Sequence, residues 1–353
     1  MNLFKKTWNW IRKNRITIAI AFVSISITIC IFIYQDYQRE RAEIVTEQRH
    51  EELLTMIKST QPQDASESLK EKVRTAEERL ANPITAEDFF LKAYAAHIDK
   101  NFETAIKYYD KVIELLPNEC ATYYNWGTAL GQFAETKKGK ESEDLYKQAS
   151  EKFQKAAQIK PDYYEAFYNW GACLRKLAET KTGKEAEILF KQACDKFQKA
   201  VQIKPNEYDA FYNWGTALLF LAEIKRGKEA EKIVIQALEK FQKAAQIQPD
   251  KCEVFGNWGY SLLRIAKTKT GKNKENLLNQ ALEKLEKAVE LGGRCYNLAR
   301  CYAIMKNKEK ALFYLEKSIE RKEFPIDVVL NDEDWKFYFD DEDFKKIIEK
   351  YKS

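Results

Sequence analysis

Apolar positions along this chain fall into three regimes. From Ile16 to Tyr34 the run is almost continuously apolar and carries no charge. Residues 37–58 scatter Ile44, Val45, Leu53, Leu54 and Ile57 through a background rich in Glu, Arg and Gln, as an exposed helix does. Beyond Pro83, apolar and aromatic residues recur at helical spacing and are interrupted at regular places by Pro or Gly. The pattern predicts helices throughout. Charged residues at 32%, aromatics at 13% and only 7 prolines fit long helices with bulky packing.

At about 1.5 Å per residue, residues 16–34 would reach roughly 28 Å, close to the ~30 Å hydrocarbon thickness of a bilayer. Eleven of them are Ile, Val or Phe. At about −0.3 to −0.6 kcal/mol each, these outweigh Thr17, Ser24, Ser26 and Thr28. Trp8, Trp10, Tyr34 and Tyr37 flank the run where interfacial aromatics belong. A cleaved leader fits less well, because Tyr34 to Gln38 offers no small-x-small cleavage site. Residues 16–34 are therefore read as one transmembrane helix. Five basic residues precede it, against Arg39, Arg41 and Arg49 after it. That bias puts residues 1–15, a basic tail, in the cytoplasm and the bulk of the chain outside it, in the periplasm if the source is bacterial. Residues 35–82 are expected to form a helical connector, broken at Ser59–Ser66 and resuming over Glu67–Ala81.

The remainder repeats. Asn-Trp-Gly begins at Asn125, Asn169, Asn213 and Asn257, each 44 residues after the last. Pro117, Pro161, Pro205 and Pro249 keep the same interval, as do Gly139, Gly183, Gly227 and Gly271. Phe153, Phe197, Phe241 and Leu285 form a fourth row. Four markers on one interval define a tandem array. Pro83 and Pro117, by contrast, stand 34 residues apart. The ten extra residues of the longer units fall between two predicted helices, each lengthened by one to two turns, with Gly139 expected as a left-handed C-terminal cap of the first.

In the first long unit, Tyr123, Trp126, Gly127 and Leu130 are followed by Ala149, Phe153, Ala156 and Pro161. This order resembles the tetratricopeptide (TPR) pattern, and the resemblance covers about residues 84–352. It implies an all-α, right-handed TPR-like α-solenoid over residues 83–320, about six units, preceded by the single transmembrane helix and closed by capping helices over 321–353. Trp126, Gly127, Trp170, Gly171, Trp214, Gly215, Trp258 and Gly259 are its repeat signature, and the tryptophans are expected to wedge between neighbouring helix pairs.

The resemblance also implies a concave surface built from the first helix of each unit. Asn125, Asn169, Asn213 and Asn257 take the place where peptide-binding relatives can present an asparagine ladder to a partner's backbone. Tyr124, Tyr168 and Tyr212, with Phe90 in the short unit, precede that place and are candidate aromatic contacts. Relatives that grip a terminal carboxylate carry lysine there; this chain has Phe or Tyr, and Gly256 in the last long unit. The basic turns Lys137–Lys140, Lys181–Lys184, Lys225–Lys228 and Lys269–Lys272 would line one rim, each of the first three followed by a glutamate.

Charge and chemistry narrow the function. The net charge is +5, and the first fifteen residues supply all of it. The neutral remainder argues against nucleic acid as a partner. Seven scattered cysteines with no C-x-x-C read as small packed residues, with Cys173 and Cys194 falling in one hairpin as free thiols or a bonded pair. Histidine is confined to His50 and His97, and neither a phosphate-binding loop nor a metal-ligand spacing is present. The expectation is a membrane-tethered scaffold that binds a partner protein's peptide or helix in its groove. It has no enzymatic activity, no cofactor and no evident small-molecule substrate. The alternative is an assembly subunit of an envelope complex, joined through the convex face or the long hairpins.

Overall fold

The computed structural model describes residues 51–78, 83 and 85–352. The basic tail, the expected span at 16–34, residues 35–50 of the connector and residues 79–82 lie outside the described residues. Among the described residues, no helix is long and apolar enough to cross a membrane.

The chain divides into two compact units, Met1–Asn101 and Phe102–Ser353. In the first, helical residues 51–59 (α1) end before a 3-10 turn at Pro62–Asp64, followed by α2 (Glu67–Glu78) and α3 (Ala86–Ile98). Pro62 at the start of the turn supplies the break expected at Ser59–Ser66. A capping box, Thr85 with Asp88, opens α3. Ion pairs Lys92–Glu77 at 2.8 Å and Arg74–Asp99 at 2.7 Å link α2 to the α3 region. Leu53, Leu54 and Ile57 are buried, so this part of the connector is folded and does not stand free as an exposed stalk.

The second unit begins with α4 (Phe102–Leu115) and continues as four long hairpins. Their helices are α5 (Cys120–Thr136) and α6 (Gly139–Ile159), α7 (Tyr164–Glu179) and α8 (Gly183–Ile203), α9 (Tyr208–Ile224) and α10 (Gly227–Ile247), and α11 (Cys252–Ala266) and α12 (Gly271–Glu290). A short hairpin follows, α13 (Tyr296–Ile304) and α14 (Lys308–Glu320). Then come α15 (Ile326–Asn331), a 3-10 helix (Glu333–Tyr338) and α16 (Glu342–Tyr351), with Trp335 of the 3-10 helix completely buried. Both helices of a long hairpin are extended: α5 and α6 have 17 and 21 residues, against 9 and 13 in the short hairpin.

The glycine of Asn-Trp-Gly explains how the hairpins close. A Cβ on Gly127, Gly171 or Gly215 would sit 2.9, 2.9 or 2.7 Å from the ring of Phe153, Phe197 or Phe241 in the same repeat. On Gly259 it would strike Leu285 at 2.5 Å. Only a bare Cα lets the second helix seat its aromatic here. The tryptophans extend this packing between hairpins. Trp126 is 7% exposed, Trp214 packs against the two core clusters on either side of it, and Trp258 does the same one repeat later. Trp214 and Trp258 thus lie between neighbouring hairpins.

Gly139 differs from its expected placement. It is left-handed (φ 59°), yet α5 already ends at Thr136 and Gly139 is the first residue of α6. Lys137 and Lys138 cross between the helices in extended conformation, so the left-handed turn redirects the chain into the second helix and does not cap the first. Cys173 and Cys194 are free thiols.

The two kinds of glycine should respond differently to alanine. Gly215→Ala is expected to lose about 1–3 kcal/mol from overpacking against Phe241. Gly139→Ala, where a Cβ meets nothing within 4 Å, should lose only about 1 kcal/mol of backbone strain. Thermal unfolding of both variants checks this, and a neutral Gly215→Ala would remove the ring contact as the packing constraint.

Candidate protein-binding surface

The asparagine and tyrosine rows on the first helices are not independent. Asn169 Nδ2 donates to the Tyr124 hydroxyl of the preceding repeat at 3.0 Å. Asn213 donates to Tyr168 at 3.1 Å and Asn257 to Tyr212 at 3.3 Å, each pair 45 residues apart. The tyrosine rings rest on the core aromatics, with centroids 5.7 Å from Phe153, 6.0 Å from Phe197 and 6.2 Å from Phe241. Burial pushes the Tyr168 phenol up to about 12 and raises Tyr212 as well, so both stay protonated at neutral pH. The two rows thus form an internal ladder between successive first helices.

That ladder changes the standing of the expected contacts. Asn125 and Tyr124 are each 2% exposed and Phe90 is 1% exposed, stacked against Tyr94 at 6.3 Å. These three are interior residues and cannot meet a partner where they stand, because the apolar packing that surrounds them excludes it. Asn125, first in its row, returns its amide to Ala121 O at 2.9 Å, and its buried Oδ1 has no hydrogen-bond partner. Asn169, Asn213 and Asn257 with Tyr168 and Tyr212 are partly exposed, but the amide donors are already engaged with the tyrosines.

Two further sets of contacts keep the same interval, and only the basic turns of the second stood out in the sequence. Lys152, Lys196, Lys240 and Lys284, each just before the core Phe or Leu, place their ammonium 3.4, 4.1, 4.2 and 4.8 Å from the ring centroids of Trp126, Trp170, Trp214 and Trp258. These cation–π contacts cover the tryptophan faces. Burial lowers the Lys152 ammonium below its usual value. The first lysine of each basic turn from the second onward reaches back one repeat: Lys181 to Glu143 at 2.6 Å, Lys225 to Glu187 at 2.7 Å and Lys269 to Glu231 at 2.6 Å. The rim therefore spends part of its positive charge inside the array. Lys191 and Lys225 beside Glu187 hold that carboxyl down to about 2.

Among the described residues, the first-helix face carries a cleft of about 850 Å³ between the fourth long hairpin and the short one. Tyr212, Gly256, Asn257 and Tyr260 line one side, and Tyr296, Asn297 and Arg300 the other. Arg300 is fixed by Asp332 at 2.9 Å and Asp334 at 2.8 Å. Glu323 accepts from the Cys295 and Tyr296 amides at 2.8 and 3.1 Å, placing a carboxylate at the start of α13 where the helix dipole favours it. Arg294, exposed at the mouth, lies 5.6 Å from the Phe324 ring. Of the expected contacts, Tyr212 and Asn257 are brought to this cleft. Asn297 and Arg300 were missed because the short hairpin replaces Asn-Trp-Gly by Asn297-Leu298-Ala299. Among the described residues, no group of His, Cys, Asp and Glu is placed to hold a metal ion.

Residues 293–324, which contain the short hairpin, match the family described as Tetratricopeptide repeat. The array is an all-α, TPR-like solenoid. Residues 98–210 match the family described as plant-specific mitochondrial import receptor subunit TOM20. Similar solved structures include MamA from Desulfovibrio magneticus RS-1, at 19% identity and TM-score 0.45, covering 59% of this chain and 94% of that one. YrrB, described as a TPR protein with an unusual peptide-binding site, is 22% identical with TM-score 0.42, covering 62% of this chain and 96% of its own. No curated protein matches the sequence. A fold of this type is ordinarily a non-enzymatic scaffold for protein–protein interaction.

The ladder is testable by a double-mutant cycle. Tyr168→Phe and Asn213→Ala should each destabilise the protein by about 0.5–1.5 kcal/mol, and the double variant by less than their sum. Additive losses in urea unfolding would show the hydrogen bond to be inert. The Glu187 bridge has a pH signature. A carboxyl depressed from 4.5 to about 2 contributes stability above pH 4.5 and loses it as pH falls through 2. The gap in melting midpoint between the unsubstituted protein and Glu187→Gln should therefore be small but present at pH 7 and closed at pH 2.

Proposed function

We propose that the array captures a segment of a partner protein on its first-helix face, at the cleft between the fourth long hairpin and the short one. The observation that carries this reading is the contrast along that face. Over the long hairpins the asparagines and tyrosines answer one another, whereas the cleft offers about 850 Å³ lined by polar and aromatic groups. That volume is within the range of sites that enclose a ligand, roughly 300–1,000 Å³. Its mixed lining, with Tyr212, Asn257, Tyr260 and Arg294, suits a peptide more than a metabolite. The likeness of residues 98–210 to an import receptor subunit is in keeping with a receptor-type role.

In this reading residues 16–34 tether the array to a membrane, with residues 1–15 in the cytoplasm and the array on the other side. Tethering raises the local concentration of the captured segment at the membrane surface. The groove is thus used at its C-terminal end, and Asn169 and Asn213 serve the array itself.

One observation favours the competing role of assembly subunit. Ile188 and Ile235, on the second helices of the middle hairpins, are 48% and 44% exposed. Photo-crosslinking in native membranes separates the two. With benzoylphenylalanine at Tyr260 or Arg294, protein adducts are expected, and the same group at Ile188 or Ile235 should give none. Adducts confined to Ile188 and Ile235 would replace groove capture by assembly through the second helices.

A further inference from the structure

Three repeats show what fills the slot between successive first helices. Tyr124, Tyr168 and Tyr212 each lay a ring against the phenylalanine of their own second helix and offer a hydroxyl to the asparagine of the next repeat. In the fourth repeat the tyrosine is replaced by Gly256, while both of its neighbours are kept in kind. Leu285 stands in the place of the phenylalanine, and Asn297 in the place of the asparagine.

Gly256, Leu285 and Asn297 all line the cleft. A Cβ built on Gly256 meets nothing within 4 Å, and the cleft opens beside it. Asn297 accepts from Arg300 Nη1 at 3.1 Å, and Arg300 is itself held by Asp332 and Asp334. The Oδ1 end of Asn297 is therefore occupied and oriented. Among the described residues its Nδ2 has no hydrogen-bond partner, whereas the same atom in Asn169, Asn213 and Asn257 donates to a phenol oxygen.

We propose that the cleft receives a tyrosine side chain from the partner segment, inserted where the array lacks its own. The incoming ring lies over Leu285 and its hydroxyl accepts from Asn297 Nδ2, completing the ladder at its last rung in trans. A phenylalanine would fill the same space but leave the amide unpaired, which is the basis of selection. The cleft exceeds one ring in size, so residues flanking the tyrosine find room along Tyr260 and Arg294. The proposal rests on the capture reading above and names the anchor that capture would use.

The test uses the full-length protein in detergent and ligand-observed saturation-transfer NMR, with N-acetyl-L-tyrosinamide and N-acetyl-L-phenylalaninamide as probes. The tyrosine probe should bind saturably and about fivefold more tightly than the phenylalanine probe, the worth of roughly one hydrogen bond. Gly256→Tyr supplies the ring in cis and should abolish binding of both probes without lowering the melting midpoint. Asn297→Ala should bring the tyrosine probe down to the affinity of the phenylalanine probe, and it decides the matter if Gly256→Tyr does not fold. Equal affinities in the unsubstituted protein, absence of saturable binding, or binding that survives a folded Gly256→Tyr each overturns the proposal. The probes need no natural partner. Crosslinks at Tyr260 without tyrosine selectivity would sink the anchor alone, and selective probe binding without groove crosslinks would sink the capture reading alone.

Discussion

The structure of the array depends on one close approach, that of a glycine Cα to an aromatic ring. At Gly127, Gly171 and Gly215 no room exists for a side chain, because the core phenylalanine ring packs against the bare Cα. With the two helices held at that distance, the neighbouring tryptophan is left projecting from the hairpin and must find cover. It finds it in the next hairpin's apolar face and beneath a lysine from its own second helix. One missing Cβ per repeat thus fixes the spacing within a hairpin and, through the tryptophan, the joint to the next.

Polar groups then follow the apolar joint. Once successive first helices lie side by side, the asparagine of one faces the tyrosine of the other, and a carboxamide between partly buried surfaces is stable only with a partner. The same spacing carries each rim lysine back to a glutamate one repeat earlier. Residues that look like a binding surface are largely consumed in building the solenoid, and the tyrosine row is interrupted at Gly256, beside the cleft. A repeat protein can place a site economically in this way: deleting one side chain from a self-complementary row exposes the groups that had matched it.

Much of this was legible from periodicity alone. The 44-residue beat, the hairpin boundaries near each proline, the close approach at Asn-Trp-Gly and the wedged tryptophans are all consequences of residue type at fixed spacing. Gly139 was legible as a left-handed position but not as the start of α6, because the residue that needs positive φ is evident from sequence while the helix it serves is set by where the hydrogen-bonded ladders begin. Leu53, Leu54 and Ile57 read as scattered on a charged helix, yet they are buried in the first unit. Their spacing revealed a helix without revealing that anything packed on it.

The sequence by itself determined that the chain is a stack of lengthened helical hairpins, since only a repeating hydrophobic demand can keep four residue rows in step. It also marked candidate contact positions on the first helices. Tertiary structure decided which of those positions are available. Hydrogen bonds between residues 45 apart, and cation–π contacts between residues 26 apart, arise only when helices are brought side by side. A row of asparagines looks the same on the page whether it faces solvent or a tyrosine; the distance between neighbouring helices settles which it is.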